Sequence, residues 1–126
     1  MYEAGLRVSE ALALKDDHLE ATPVGGRLVV REGKGGKDRT VGLGRELTGA
    51  LIEWLERRDT KAPESEWVFP TSRGNRVARQ HLHRTVKRVA RRAGLPEAGR
   101  LTVHCLRHSF ATRFLTNGGN LEELRR

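Results

Sequence analysis

The sequence predicts an α+β domain that is mainly helical, with a small antiparallel sheet in its first half. Three observations predict this fold. Several stretches carry apolar residues at helical spacing, two β-prone runs flank a glycine-rich tip, and 126 residues suffice for one ordinary core. Three Phe, two Trp and one Tyr are few, so Leu, Val and Ala must build most of that core. The chain shows no internal repeat, no low-complexity run and no linker long enough to divide it.

The elements follow in order. "MYEAGLRVSEALAL" reads as the end of one helix, a break at Gly5, and a second helix through Leu14 with Val8, Ala11, Leu12 and Leu14 on its apolar side. Residues 15–26 are rich in turn formers and read as loop. "RLVVRE" and "RTVGL" around "GKGGKD" predict a β-hairpin. From Glu46 to Arg58, Leu47, Leu51, Trp54 and Leu55 recur at helical spacing. "EWVFP" predicts a brief strand ending at Pro70, followed by a turn at Gly74 and Asn75. Leu82, Val86, Val89, Ala90 and Ala93 mark one face of the next helix, Arg84, Lys87, Arg88, Arg91 and Arg92 the other, and Gly94 caps it. A last long helix runs from near His104 to Thr116 and stops at "NGGN", after which "LEELRR" begins another.

Charge gives the first functional indication. Lys and Arg outnumber Asp and Glu by 24 to 16, a net +8, which favours a polyanionic partner through phosphate contacts and counterion release. A merely soluble basic surface is the alternative. No window is long and apolar enough to span a membrane, and no charged-then-apolar leader opens the chain. The single Cys105 excludes an internal disulfide, argues against a thiolate metal site and fits a reducing cytoplasm.

"HCLRHSF" concentrates the chemistry. On a helix His104, Arg107 and His108 stand at i, i+3 and i+4 on one face, pointing into a partly enclosed space, while Leu106, Phe110 and Phe114 take a different, core-facing side. Two imidazoles and a guanidinium suit a phosphate or carboxylate. The alternative is a satisfied core histidine at 108 and a structural ion pair at Arg107. Arg7 follows the Gly5 break, where a helix N-terminus and a guanidinium both face an anion, and Glu10 is placed to orient it. Lys34 projects from the glycine-rich tip, itself readable as an ordinary solvated turn. Together these cations would cradle a phosphodiester under attack, where fixed positive donors meet the developing charge. Lys37, Arg39, Arg73 and Arg79 are further candidate contacts to a nucleic-acid backbone.

"GLRVSEALAL", "VREGKGGKDRTVGL", "VFPTSRG" and "LTVHCLRHSFATRF", in this order, resemble the catalytic domain of the tyrosine recombinases, the phage-integrase family that includes Xer and integron enzymes. The resemblance spans Tyr2 to Arg126. It implies the DNA breaking-rejoining fold and site-specific recombination through a 3′-phosphotyrosine, with no metal and no ATP. It further implies that Arg7 and Arg107 grip the scissile phosphate and that Lys34 protonates the leaving 5′ oxygen. His104 becomes a phosphate donor and proton acceptor, His108 a support, and Glu10 the acid holding Arg7. Double-stranded DNA and other recombinase protomers are the implied partners, with self-association through surfaces that missing flanks expose. In the family the attacking tyrosine lies downstream of "LEELRR", and Tyr2 falls where a structural aromatic is usual. The resemblance therefore places this chain as the central part of a catalytic domain, without the N-terminal clamping domain and without the nucleophile. A non-catalytic DNA-binding protein that occupies recombination sites is the competing reading, and an unrelated RNA-binding module is a third.

Overall fold

The computed structural model describes residues 1–31 and 35–122. One α-turn, closed by the Gly5 N–H donating to the Met1 carbonyl at 2.9 Å, precedes α1 (Val8–Leu12). A 3-10 turn (Asp16–His18) leads into β1 (Leu19–Thr22), β2 (Gly25–Val30) and β3 (Arg39–Leu43), which form an antiparallel sheet in the order β1-β2-β3. Leu19 faces Leu28, and Leu28 faces Val41, so each pairing continues one apolar face. Then come α2 (Arg45–Lys61), α3 (Arg79–Arg92) and α4 (Val103–Thr116). The α+β expectation holds, with a three-stranded sheet.

Two apolar clusters meet at α1. Ala11 and Leu14 join Ala4, Leu6, Leu28, Val30, Leu43 and Val68 beneath the sheet, with Leu47, Leu51 and Leu55 of α2 packed against them. Val8 and Leu12 turn the other way, onto Val103 of α4 and onto Leu82 and Val86 of α3. This five-residue helix is too short to persist alone and is held by burial on both sides. The consequence for the site is direct: whatever side chains α1 carries are fixed between the sheet and α4.

Glycine ends α3 and α4 as expected. Gly94 has φ +68°, its N–H donates to Arg91 at 3.0 Å, and the Leu95 N–H reaches the Ala90 carbonyl at 3.1 Å. The same pair of bonds closes α4 at Gly118 and Gly119.

Several expectations are corrected. α1 stops at Leu12 rather than running through Leu14, because Leu14 instead pairs with the passing segment: its carbonyl accepts from the Val68 N–H at 3.0 Å. The loop expected over 15–26 contains the 3-10 turn, all of β1 and the start of β2; β1 is an edge strand of four residues whose alternate positions face solvent. The strand expected before Pro70 is reduced to isolated bridges, Lys15 with Trp67 and Pro70 with Arg76. Val89 and Ala93 leave the apolar face of α3; Val89 is 58% exposed, since Leu82, Val86 and Ala90 already fill the stripe toward α1 and α4. The helix expected from "LEELRR" begins at Leu121 and Glu122, and its remainder lies outside the described residues.

Side chains add to these few backbone bonds in holding the 63–70 segment. Trp54 Nε1 donates to the Val68 carbonyl at 2.7 Å. Arg58, 6% exposed, binds both Asp16 oxygens, Asp59 and the Trp67 carbonyl, tying the 3-10 turn and this segment to α2. Arg58→Ala should lower the free energy of urea unfolding by about 2 kcal/mol, since Asp16 and the Trp67 carbonyl lose a shared buried donor. Asp59→Asn should cost only about 0.5 kcal/mol, as that carboxylate is at the surface.

Candidate functional site

Gly5 creates the site's geometry. At φ +63° the chain turns sharply before α1, and a Cβ there would lie no more than 2.9 Å from three atoms of the Phe110 ring. Helix α4 therefore seats directly on the Gly5 backbone, and Arg107 Nη1 donates to the Gly5 carbonyl. Phe110 and Phe114 stack with centroids 5.8 Å apart and continue that contact. They and Leu106 are half-buried, as a face resting on a turn rather than a deep core would be.

Arg7 is the N-cap of α1. Glu10, at the third helical position, accepts its backbone N–H at 2.7 Å and its guanidinium Nη1 at 3.0 Å. The N–H of the N-cap is therefore taken by a carboxylate of the same turn. Arg39, at the start of β3, reaches the same carboxylate as a fork, 2.8 Å to each oxygen. The Glu10 side chain is only 8% exposed. Burial pushes its carboxyl upward, but the hydrogen bonds from Arg39 and from Arg7 outweigh that and bring its pKa down to about 2. The pKa of the Arg107 guanidinium is lowered too, which for a base disfavours the charged form: burial lowers it first, and the neighbouring charges of Arg7 and Arg39 add to that, against Glu10.

Among the described residues, three guanidiniums thus gather around a single carboxylate. Glu10 fixes two of them, and among the described residues Arg107 is anchored to a neutral carbonyl, that of Gly5. The positive excess is desolvated enough to be felt, which is the electrostatic setting of an anion site. A cavity of about 490 Å³ opens between Gly5, Arg39, Thr40, Val41 and Arg107.

The other predicted residues fall as follows. His104, Arg107 and His108 line one open groove on α4, as their spacing requires, but both imidazoles are exposed rather than enclosed. Arg79, in the first turn of α3, lies with its Nη2 2.6 Å from His104 Nε2. Lys37 is exposed on the hairpin. Arg73 lines a separate depression with Lys61, Glu64 and Ser65, away from the arginine cluster. Lys34 lies outside the described residues. Tyr2, the sole tyrosine of the 126 residues, has its ring under Arg113, 4.7 Å from that guanidinium, and lines neither the cavity nor the groove. Among the described residues no three His, Cys, Asp or Glu side chains gather as a metal site would need, and no helix is long and apolar enough to cross a membrane.

Sequence reading missed the bond between Arg39 and Glu10. It also missed Arg76, whose guanidinium donates to the Leu12 and Ser9 carbonyls and so closes the C-terminal end of α1. Neither contact has a sequence signal, because the partners are far apart in the chain.

The profile of the phage integrase family matches residues 1–126. The chain belongs to that family. It is 40% identical over 121 residues to tyrosine recombinase XerC of Pseudomonas entomophila (strain L48), covering 95% of this chain and 38% of that protein. Among solved structures it superposes on XerA recombinase with a TM-score of 0.84 at 31% identity, over 98% of this chain and 44% of that one. It superposes on the XerH site-specific recombinase, bound to its difH substrate before cleavage, with a TM-score of 0.80 at 29% identity, over 98% of this chain and 35% of that one. The phage-integrase fold expected from the four motifs is therefore confirmed. The chain spans about two fifths of the length of the curated relatives it matches, at 38% and 39% in two of them.

Proposed function

We propose that this chain is the phosphate-gripping part of a site-specific tyrosine recombinase that acts on double-stranded DNA. The observation that supports this reading most is the convergence of Arg7, Arg39 and Arg107 around one carboxylate. Among the described residues such a cluster is only partly neutralised, and a cavity opens beside Arg39 and Arg107, so a phosphodiester completes it. Arg7 and Arg107 grip the non-bridging oxygens, and Glu10 holds Arg7 in place. His104 takes the proton of an attacking tyrosine hydroxyl supplied from outside these residues, while His108 supports the groove. The tyrosine oxygen bonds to phosphorus as the bond to the 5′ oxygen breaks, and Lys34 gives that oxygen its proton. The phosphate ester energy is kept in the 3′-phosphotyrosine, so rejoining is the same step reversed with a different 5′ hydroxyl. No metal or nucleotide cofactor has a part in it. Lys37, Arg73 and Arg79 contact the DNA backbone outside the cradle, and Arg39 does so with the donors that Glu10 leaves free. Association with other protomers and work in a bacterial or mobile-element cytoplasm belong to the same reading.

Fluorescence anisotropy with a labelled DNA duplex tests it on the chain as it stands. Arg7→Ala and Arg107→Ala should each weaken binding about tenfold, and each should reduce the salt dependence by roughly one released counterion. Binding that both substitutions leave unchanged would remove the cradle from the account.

A further inference from the structure

The contact between Arg79 and His104 has a chemical content beyond proximity. A guanidinium only donates, so at 2.6 Å the His104 Nε2 must present its lone pair, and a neutral ring then carries its proton on Nδ1. The two residues come from different helices, Arg79 from the first turn of α3 and His104 from the first turn of α4, and both line a groove with Gln80, His83, Arg84 and Thr102. The helices are packed together through Leu82, Val86 and Val103, so the pairing is set by the fold rather than by a flexible loop.

We propose that Arg79 is a positioning residue that sets the tautomer of His104, keeping Nε2 as the acceptor atom on the face shared with Arg107. This rests on the reading of His104 as the proton acceptor of the site. An unheld imidazole populates both neutral tautomers and rotates about its χ angles; one pinned by a permanent cation presents a fixed lone pair before substrate arrives. When a phosphodiester docks, an exposed arginine finds a charged oxygen in preference to a neutral nitrogen. Nε2 is then released, already unprotonated, beside the reacting atoms. Arg79 thus acts through His104 and need not touch the scissile phosphate.

Two-bond proton–nitrogen correlation spectra of the chain labelled at histidine, recorded at mildly alkaline pH, report the tautomer directly; a His104→Gln sample assigns the signal. In the unsubstituted chain His104 should appear as the Nδ1–H form. In Arg79→Ala its Nε2 resonance should move toward the protonated position as the Nε2–H form takes over. In Arg79→Lys, which still donates to the ring, most of the original pattern should remain. Arg79 is exposed, so circular dichroism melting should show all three chains equally folded. A wild-type His104 in the Nε2–H form, or a pattern unchanged in Arg79→Ala, would overturn the assignment while leaving DNA binding by the arginine cluster intact. A locked tautomer in a chain that does not bind duplex DNA would instead support the hold on His104 and sink the functional reading on which its purpose rests.

Discussion

Replacing Gly5 by alanine is expected to cost about 3 kcal/mol of folding stability and to abolish anion binding together with it. Two terms add. An L-residue at φ +63° is disfavoured by about 1 kcal/mol, and the new methyl meets the Phe110 ring, an overpacking that costs about 2 kcal/mol. The ring cannot retreat freely, because Phe114 is stacked on it and α4 is pinned to the same turn through Arg107. Relief therefore moves α4, and with it Arg107, away from Arg7. Urea unfolding and duplex binding should fail together in this variant. Adding Phe110→Ala to Gly5→Ala makes room for the methyl, so the double variant should be less unstable than the sum of its parts. Strict additivity would mean that the two residues do not meet as described.

Glu10→Gln carries the second large effect, and its signature is a pH dependence. The Glu10 carboxyl titrates at about 2 in the folded chain, against an ordinary 4.5 when unfolded. The unfolded state therefore takes up the proton first as pH falls, and folded stability is lost. The contribution is complete above about pH 4.5 and disappears as pH drops through about 2. The shift corresponds to about 3 kcal/mol, or about 2 kcal/mol once screening at the open side of the cluster is allowed for. Glu10→Gln should be less stable than wild type by that amount at neutral pH, and the gap should close in acid. Sulfate should restore more stability to the variant than it adds to wild type, because an anion then replaces the missing carboxylate among three guanidiniums. A constant gap from neutral to acid pH would show that Glu10 does not carry this charge pairing.

The limits of sequence reading have a common physical source. Helical periodicity and the glycines at 94 and 118 are local signals, and α2, α3 and α4 follow from them. So does the shared face of His104, Arg107 and His108. β1 was illegible because an edge strand of four residues has half its side chains in water and sits among turn formers. The segment before Pro70 reads as a strand through its apolar residues, but Val68 is buried by packing into the core with Leu14, Leu28 and Leu43, while the backbone around it makes only isolated bridges and is held by Trp54 and Arg58. At the site, Arg7 and Glu10 lie one helical turn apart and could be paired from spacing alone. Arg39 could not, because only the fold brings β3 against α1. The hold of Arg79 on His104 depends in the same way on how α3 crosses α4.

The most direct test of the central claim is hydrogen exchange of the chain with and without orthovanadate, a phosphate mimic. If Arg7, Arg39 and Arg107 form one anion site, vanadate should slow exchange at residues 5–10, 40–42 and 103–110 together. Arg107→Ala should lose that protection in all three segments at once. No protection in the wild-type chain, or equal protection in Arg107→Ala, would contradict the account.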